Sequence, residues 1–154
     1  MHENKVVHRD LKPENLILAS KNNDYDLRIA DFGLASFVKD GELLKLRCGS
    51  PGYVAPEILE DIGYNESSDI FSAGVILYVL LTGRPVFRGY NINEILVKNK
   101  KCEIEYPAKY WSKISEKAKD LVSKMLEKDP KDRITTKDAL NHSWFNQSEA
   151  EIND

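Results

Sequence analysis

The sequence predicts a mainly α fold with one small β-hairpin near its start. A short apolar run, residues 16–18, and a second strand-like stretch, residues 27–30, stand on either side of the turn signal Asn22-Asn23-Asp24, the pattern of two paired short strands. Later in the chain apolar residues recur at helical spacing in several segments, each with its own start and stop signals. Between hairpin and helices, residues 31–56 show little periodicity. A length of 154 residues, with 42% hydrophobic and 31% charged side chains, fits one soluble globular domain. Such a chain can bury roughly 70% of the surface it exposes when unfolded, so a core needs no metal or disulfide staple.

Taken in order, Val6 and Val7 lead into a polar, turn-like stretch, and Leu16-Ile17-Leu18 is suited to a buried strand. Residues 20–26 read as the turn and Leu27-Arg28-Ile29-Ala30 as the returning strand. The hairpin sets the segment before Leu16 beside the segment after Ala30. Gly33, Gly41, Gly49, Pro51, Gly52 and Pro56 punctuate the next stretch, and loops of that length in compact domains are usually functional or disordered. Ser67 or Ser68 is placed to cap a helix, apolar on nearly every face through Leu81 and stopped by Gly83 and Pro85, as suits the centre of a core. Residues 93–98 suggest a short helix. Ala118, Leu121, Val122, Met125 and Leu126 define an amphipathic helix with Ser115 as cap and Asp129-Pro130 as stop. Thr135-x-x-Asp138 is a capping-box-like start for a last helix carrying Ala139, Leu140, Trp144 and Phe145. Residues 146–154 form a polar tail expected to fray.

The formal charge is −3, and basic residues alternate with acids along the chain rather than clustering on one face, so no nucleic-acid partner is expected. The only cysteines, Cys48 and Cys102, show no disulfide or zinc spacing; an intracellular, cytoplasmic home is expected. The polar N-terminus lacks a signal-peptide core, and the longest apolar stretch, residues 70–81, falls short of the ~18 residues of a membrane span.

The chemistry concentrates in His8-Arg9-Asp10-Leu11-Lys12-Pro13-Glu14-Asn15. An acid, a lysine and an amide lie within six positions there, and on a rigid loop they converge on one small site. Any one of them alone reads as a turn former or cap. Asp31-Phe32-Gly33 and Ala55-Pro56-Glu57 come later in the chain. With these three ordered motifs the sequence resembles the protein kinase family, whose signatures are H-R-D-L-x-x-x-N, D-F-G and A-P-E. The resemblance runs from residue 1 to about residue 145. It implies a kinase-like C-terminal lobe, helical, with the small hairpin carrying the catalytic and metal-binding loops.

Carried over position by position, the resemblance implies that Asp10 is the base that accepts the substrate hydroxyl proton. Asn15 and Asp31 become Mg²⁺ ligands, with oxygen donors suited to a hard cation, and Lys12 offsets charge on the γ-phosphate. ATP and Mg²⁺ are thus the implied cofactors. Lys-Pro-Glu-Asn at residues 12–15 implies Ser/Thr acceptors in protein substrates. Phe32, Gly33, Ser50 and Glu57 fall in the activation and substrate segment. Ser50 either brings a hydroxyl to Asp10 and Lys12 or is a turn residue before Pro51. Glu57 is expected to pair with Arg133. Asp69 either holds the His8-Arg9 backbone from the central helix or is an ordinary acid in a first helical turn. Arg9 belongs with these structural residues; in many relatives it binds a phosphate on the activation loop, at a position here filled by Leu46. Phe71 stands where many kinases have tryptophan. Glu14 either meets a substrate arginine or is a solvated loop acid. His2, His142 and the tryptophans read as surface or packing residues. Val75-Ile76-Leu77, Gly83-Arg84-Pro85 and residues 48–57 look most like the calcium/calmodulin-dependent group.

Upstream of His8 there is no G-x-G-x-x-G loop, no V-A-I-K lysine and no partner glutamate, the parts that cover and position the phosphates. The expectation is therefore an absent N-terminal lobe and a chain inactive by itself, which needs that lobe or a covering partner. Two other readings stand beside the kinase: a kinase-lobe binding module or decoy, and a metal-dependent hydrolase built on Asp10, Asn15 and Asp31.

Overall fold

The computed structural model describes residues 1–146; the frayed polar tail expected beyond them lies outside the described residues. Among the described residues four short strands and six α-helices succeed one another. β1 (Val6–Val7) pairs antiparallel with β4 (Ser36–Phe37), and β2 (Leu16–Ser20) with β3 (Asn23–Ile29). The helices are α1 (Pro56–Glu60), α2 (Ser67–Thr82), α3 (Ile92–Lys101), α4 (Ala108–Trp111), α5 (Glu116–Met125) and α6 (Thr136–Leu140).

α2 is the axis of the core. Phe71, Val75 and Tyr78 on it join Ile58 and Leu59 of α1, Val122 of α5, and Val54, Tyr64, Phe87, Trp111 and Leu126. A second cluster joins Ile70 of α2 to Leu121 and Met125 of α5 and Ala139 of α6. Gly74 lets α2 and α5 meet, because a Cβ there would stand 2.8 Å from the Met125 Cβ and 3.0 Å from Leu126 Cδ2.

The hairpin forms where expected, but its strands are not buried: Ile17 is 52% and Leu18 46% exposed, and Leu27 and Ile29 are exposed too. A short apolar run signals that a surface is to be covered, not that the covering atoms belong to the same stretch of chain. The turn is also tighter than expected. β3 begins at Asn23, paired with Ser20 across a register shift after Leu18, and the Asn23 side chain accepts the N–H groups of Tyr25 and Asp26.

Helix starts and stops differ in detail. Ser67 and Ser68 lie inside α2; Asn65 Oδ1 accepts Ser67 N–H at 3.0 Å and the Asn65 carbonyl takes the Ser68 hydroxyl at 2.8 Å. Leu80 is exposed while Tyr78 stays buried, so one face of the last turn of α2 reaches solvent. The Gly83 stop holds, with φ +65°. Ser115 caps α5 through Ala118 N–H, 3.2 Å, but that helix ends at Met125, ahead of Asp129-Pro130. Thr135 Oγ1 accepts Asp138 N–H at 3.1 Å, yet α6 stops at Leu140, leaving Trp144 and Phe145 in the turns beyond. Both cysteines are free. Among the described residues no helix is long and apolar enough to cross a membrane.

Candidate active site

The loop between β1 and β2 holds the candidate residues Asp10, Lys12 and Asn15, and α2 fixes its backbone. Asp69, in the first turn of α2 and 1% exposed, accepts His8 N–H at 2.8 Å and Arg9 N–H at 2.9 Å. That resolves the alternative left open by sequence: Asp69 grips the loop. His2 Nε2 donates to the same carboxylate at 2.8 Å and its Nδ1 meets Thr136 Oγ1 at 3.2 Å, so His2 is a second brace and not a surface bystander. Arg9 is held at φ +72°, a conformation that in a side-chain-bearing residue costs roughly 1–3 kcal/mol. The Asp69 bonds help offset it.

His8 is buried. Its Nδ1 accepts Asp10 N–H at 3.3 Å, which leaves the proton on Nε2, and Nε2 donates to the Ala30 carbonyl at 3.0 Å. Ala30 N–H in turn donates to the Asn15 carbonyl at 2.8 Å, so the two ends of the hairpin are tied together. Asn15 and Asp31 are thereby set side by side. The Asn15 Nδ2 donates to the Asp10 carbonyl, 2.9 Å. Asp31, at φ +60°, accepts Gly33 N–H on one oxygen at 3.2 Å and is otherwise exposed.

Asp10, Lys12 and Ser50 close a ring. Asp10 Oδ2 accepts from Lys12 Nζ at 2.8 Å, Asp10 Oδ1 accepts the Ser50 hydroxyl at 2.7 Å, and Lys12 Nζ donates to Ser50 Oγ at 2.9 Å. Ser50 is therefore no mere turn residue. Burial by itself pushes the Asp10 carboxyl up, but the hydrogen bonds from Lys12 and Ser50 outweigh it and hold the carboxyl below its ordinary value. Asp10 is an acceptor at neutral pH. The hydrogen bond to Asp10 likewise holds the Lys12 ammonium above its ordinary value. Gly49 lets the segment cross the loop here: its φ is +115° and a Cβ would stand 2.9 Å from the Arg9 carbonyl oxygen.

The segment after Ser50 is pinned from two helices. Asn99 of α3, fully buried, accepts Gly52 N–H at 3.1 Å and donates to the Val54 carbonyl at 2.9 Å, while Ser72 of α2 donates to the Tyr53 carbonyl at 2.9 Å. Sequence reasoning missed both. The signal for Asn99 is present: with Ile92, Ile95 and Leu96 it falls at helical spacing, so a polar residue occupies an apolar stripe and must find partners there. Asn99→Ala orphans both backbone groups and is expected to lower unfolding free energy by about 1–3 kcal/mol, read as a shifted urea midpoint; an unshifted midpoint would show that the bonds contribute nothing. Further along, Glu57 meets Arg133 as expected, at 2.7 and 2.9 Å. Arg9 finds neutral partners, the Leu34 carbonyl and the Tyr64 hydroxyl. Phe71 is buried, with Arg133 over its ring. Phe32 packs edge-on to His8 at 5.0 Å. Among the described residues no three carboxylates, histidines or cysteines cluster as a ready metal cage.

Residues 1–145 match the protein kinase domain, and the chain belongs to the protein kinase family. It is 51% identical over 145 residues to a probable serine/threonine-protein kinase 2 of Plasmodium falciparum, covering 94% of this chain and 28% of that protein. It is 50% identical over 145 residues to calcium-dependent protein kinase 21 of Arabidopsis thaliana, covering 94% and 27%. Over all 154 residues it is 42% identical to a calcium/calmodulin-dependent protein kinase type 1 of Caenorhabditis elegans, covering 44% of that protein. The chain thus spans 27 to 44% of the length of these relatives.

Proposed function

We propose that residues 1–145 are the C-terminal lobe of a serine/threonine protein kinase that transfers the γ-phosphate of ATP to hydroxyls of protein substrates. The observation that carries this reading is the Asp10–Lys12–Ser50 ring: an ionised carboxylate beside a cation at the edge of the segment where an acceptor peptide would lie. Asp10 orients the acceptor hydroxyl and takes its proton; Lys12 supplies positive charge to the transferred phosphoryl oxygens. Asn15, through its free amide oxygen, and Asp31, through its exposed carboxylate, are hard oxygen donors that fit Mg²⁺. Mg²⁺ held there with ATP would neutralise phosphate charge. Asp69, Arg9 and the Glu57–Arg133 pair hold these groups in register, and Phe32 and Gly33 set the direction in which Asp31 points.

The exposed apolar residues support the lobe assignment. Ile17, Leu18, Leu27 and Ile29 on the hairpin, with Phe32 and Phe37, form a family of uncovered side chains, and Phe32 and Phe37 line a cavity of about 620 Å³ with Met1 and Val6. An N-terminal lobe fits as the layer that covers them. Likeness to calcium/calmodulin-dependent and calcium-dependent kinases supports regulation of the whole protein through calcium; the intracellular, cytoplasmic setting proposed with it rests on two cysteines without disulfide spacing.

The test joins residues 1–154 to a compatible kinase N-terminal lobe and measures radiolabelled phosphate transfer to a basic Ser/Thr peptide, beside residues 1–154 alone. The joined protein is expected to turn over at ~1–100 s⁻¹ and the isolated residues not at all, because they contain neither the Gly-rich loop nor the lysine that fix the triphosphate. Transfer by the isolated residues that disappears in Asp10→Asn would overturn the lobe assignment. No transfer in either form would overturn the kinase reading.

A further inference from the structure

We propose that the Tyr64 hydroxyl is a neutral tether that holds the activation segment on the catalytic loop in place of any phosphate, an inference that rests on the kinase reading above. Tyr64 is 3% exposed, and its ring sits in the main core cluster with Val54 and Phe71. Its backbone exchanges hydrogen bonds with Leu44 at 2.8 and 2.9 Å. Gly63 makes the approach possible, at φ +89° with the Leu43 Cβ only 3.2 Å from where its own Cβ would stand.

From that fixed base the hydroxyl does two things. It donates to the Leu46 carbonyl at 2.6 Å and accepts from Arg9 Nη1 at 3.3 Å, with Cys48 Sγ 3.7 Å away. Arg9 Nε donates to the Leu34 carbonyl. The guanidinium that joins the catalytic loop to the segment after Asp31 is therefore met by neutral oxygens, and among the described residues no carboxylate pairs with it. Leu46 itself has no hydroxyl to modify. A cationic donor polarises the Tyr64 O–H and strengthens its bond to Leu46. Burial pushes the Tyr64 phenol up to about 12, so it remains a donor throughout the neutral range. The chain Arg9 to Tyr64 to Leu46 ends four residues before Ser50, so the tether positions one member of the catalytic ring. Tyr64 is a positioning residue: it touches no reacting atom.

The experiment uses the full-length polypeptide that carries residues 1–154. Tyr64→Phe keeps the ring and the Leu44 bonds and removes only the hydroxyl. Amide hydrogen exchange across residues 42–50 is expected to rise about tenfold, and kcat toward a basic Ser/Thr peptide to fall by a similar factor, the scale set by losing two hydrogen bonds, one of them charge-assisted. KM for ATP should stay within about twofold, a split that general destabilisation would not produce. In parallel, wild-type protein stripped with a broad-specificity phosphatase is expected to keep its exchange pattern and rate. Unchanged exchange and kcat in Tyr64→Phe would overturn the tether, as would a phosphatase treatment that loosens residues 42–50 or stops turnover. Exchange that rises in a protein with no kinase activity at all would leave the tether standing and remove the kinase reading.

Discussion

Asp10→Asn, in residues 1–154 joined to a compatible kinase N-terminal lobe, is expected to lower peptide phosphorylation by about 10²–10⁴-fold while the urea midpoint stays near that of the unsubstituted protein. The replacement is isosteric. Its amide can accept from Ser50 or Lys12 but carries no charge to hold the Lys12 ammonium and no basic oxygen to receive the acceptor's proton. Stability changes little because the Asp10–Lys12 pair is partly solvated, and such pairs contribute on the order of 0–1 kcal/mol. Since the folded carboxyl is held below its ordinary value, whatever stability it supplies is present above about pH 4 and is lost as pH falls through the depressed value. The acid limb of the rate profile should accordingly lie well below neutral pH and not arise from Asp10 between about pH 5 and 8. Asp31→Asn is expected to act in the same direction by weakening the oxygen set offered to Mg²⁺, and added Mg²⁺ should partly restore its rate but not that of Asp10→Asn. Undiminished turnover by purified Asp10→Asn protein would remove the role assigned to Asp10.

The parts of this site that the sequence made legible are the parts built locally. Asp10, Lys12 and Asn15 lie on one short loop before a strand, and Asp31 stands at the end of the returning strand, so a hairpin reading already sets them together. Ser50 could not be decided the same way. Its bonds to Asp10 and Lys12 span 40 and 38 residues, and nothing local separates a serine that crosses back to the loop from one that begins a turn. Asn99 acts over 47 and 45 residues, on Gly52 and Val54, and Tyr64 over 55 and 18, on Arg9 and Leu46. Periodicity marks the face of a helix on which a residue falls but not the carbonyl it will meet. The exposure of Ile17 and Leu18 was illegible for the complementary reason: apolar character reports the need for cover and is silent about its source. At α2 the cap falls one or two residues ahead of Ser67 and Ser68, at Glu66, whose side chain makes no capping bond; Asn65 Oδ1 takes the Ser67 N–H in its place.

The Glu57–Arg133 pair carries the largest expected effect on folding. Glu57 is 2% and Arg133 4% exposed, and the five donors of the guanidinium are all engaged. Nη1 donates to Glu57 Oε1 and the Ser67 carbonyl, Nη2 to Glu57 Oε2 and the Lys128 carbonyl, and Nε to the Glu127 carbonyl, at 2.7 to 3.1 Å. One side chain thus ties the first turn of α1, the start of α2 and the turn after α5 around the Phe71 ring. Removing either partner leaves a buried charge without its counter-ion, and Glu57→Ala and Arg133→Ala are each expected to lower unfolding free energy by about 3–5 kcal/mol. Arg133→Lys should recover little of this, because an ammonium has three donors and cannot reproduce the planar fork. The double substitution Glu57→Leu with Arg133→Met should cost less than the two alanine substitutions added together, since it removes both charges at once and leaves apolar volume in their place. Urea denaturation of the four proteins separates the possibilities. Single-variant losses under about 1 kcal/mol, or a double variant that merely adds them, would mean that the pair is solvated and that the three carbonyl bonds hold these helix ends by themselves.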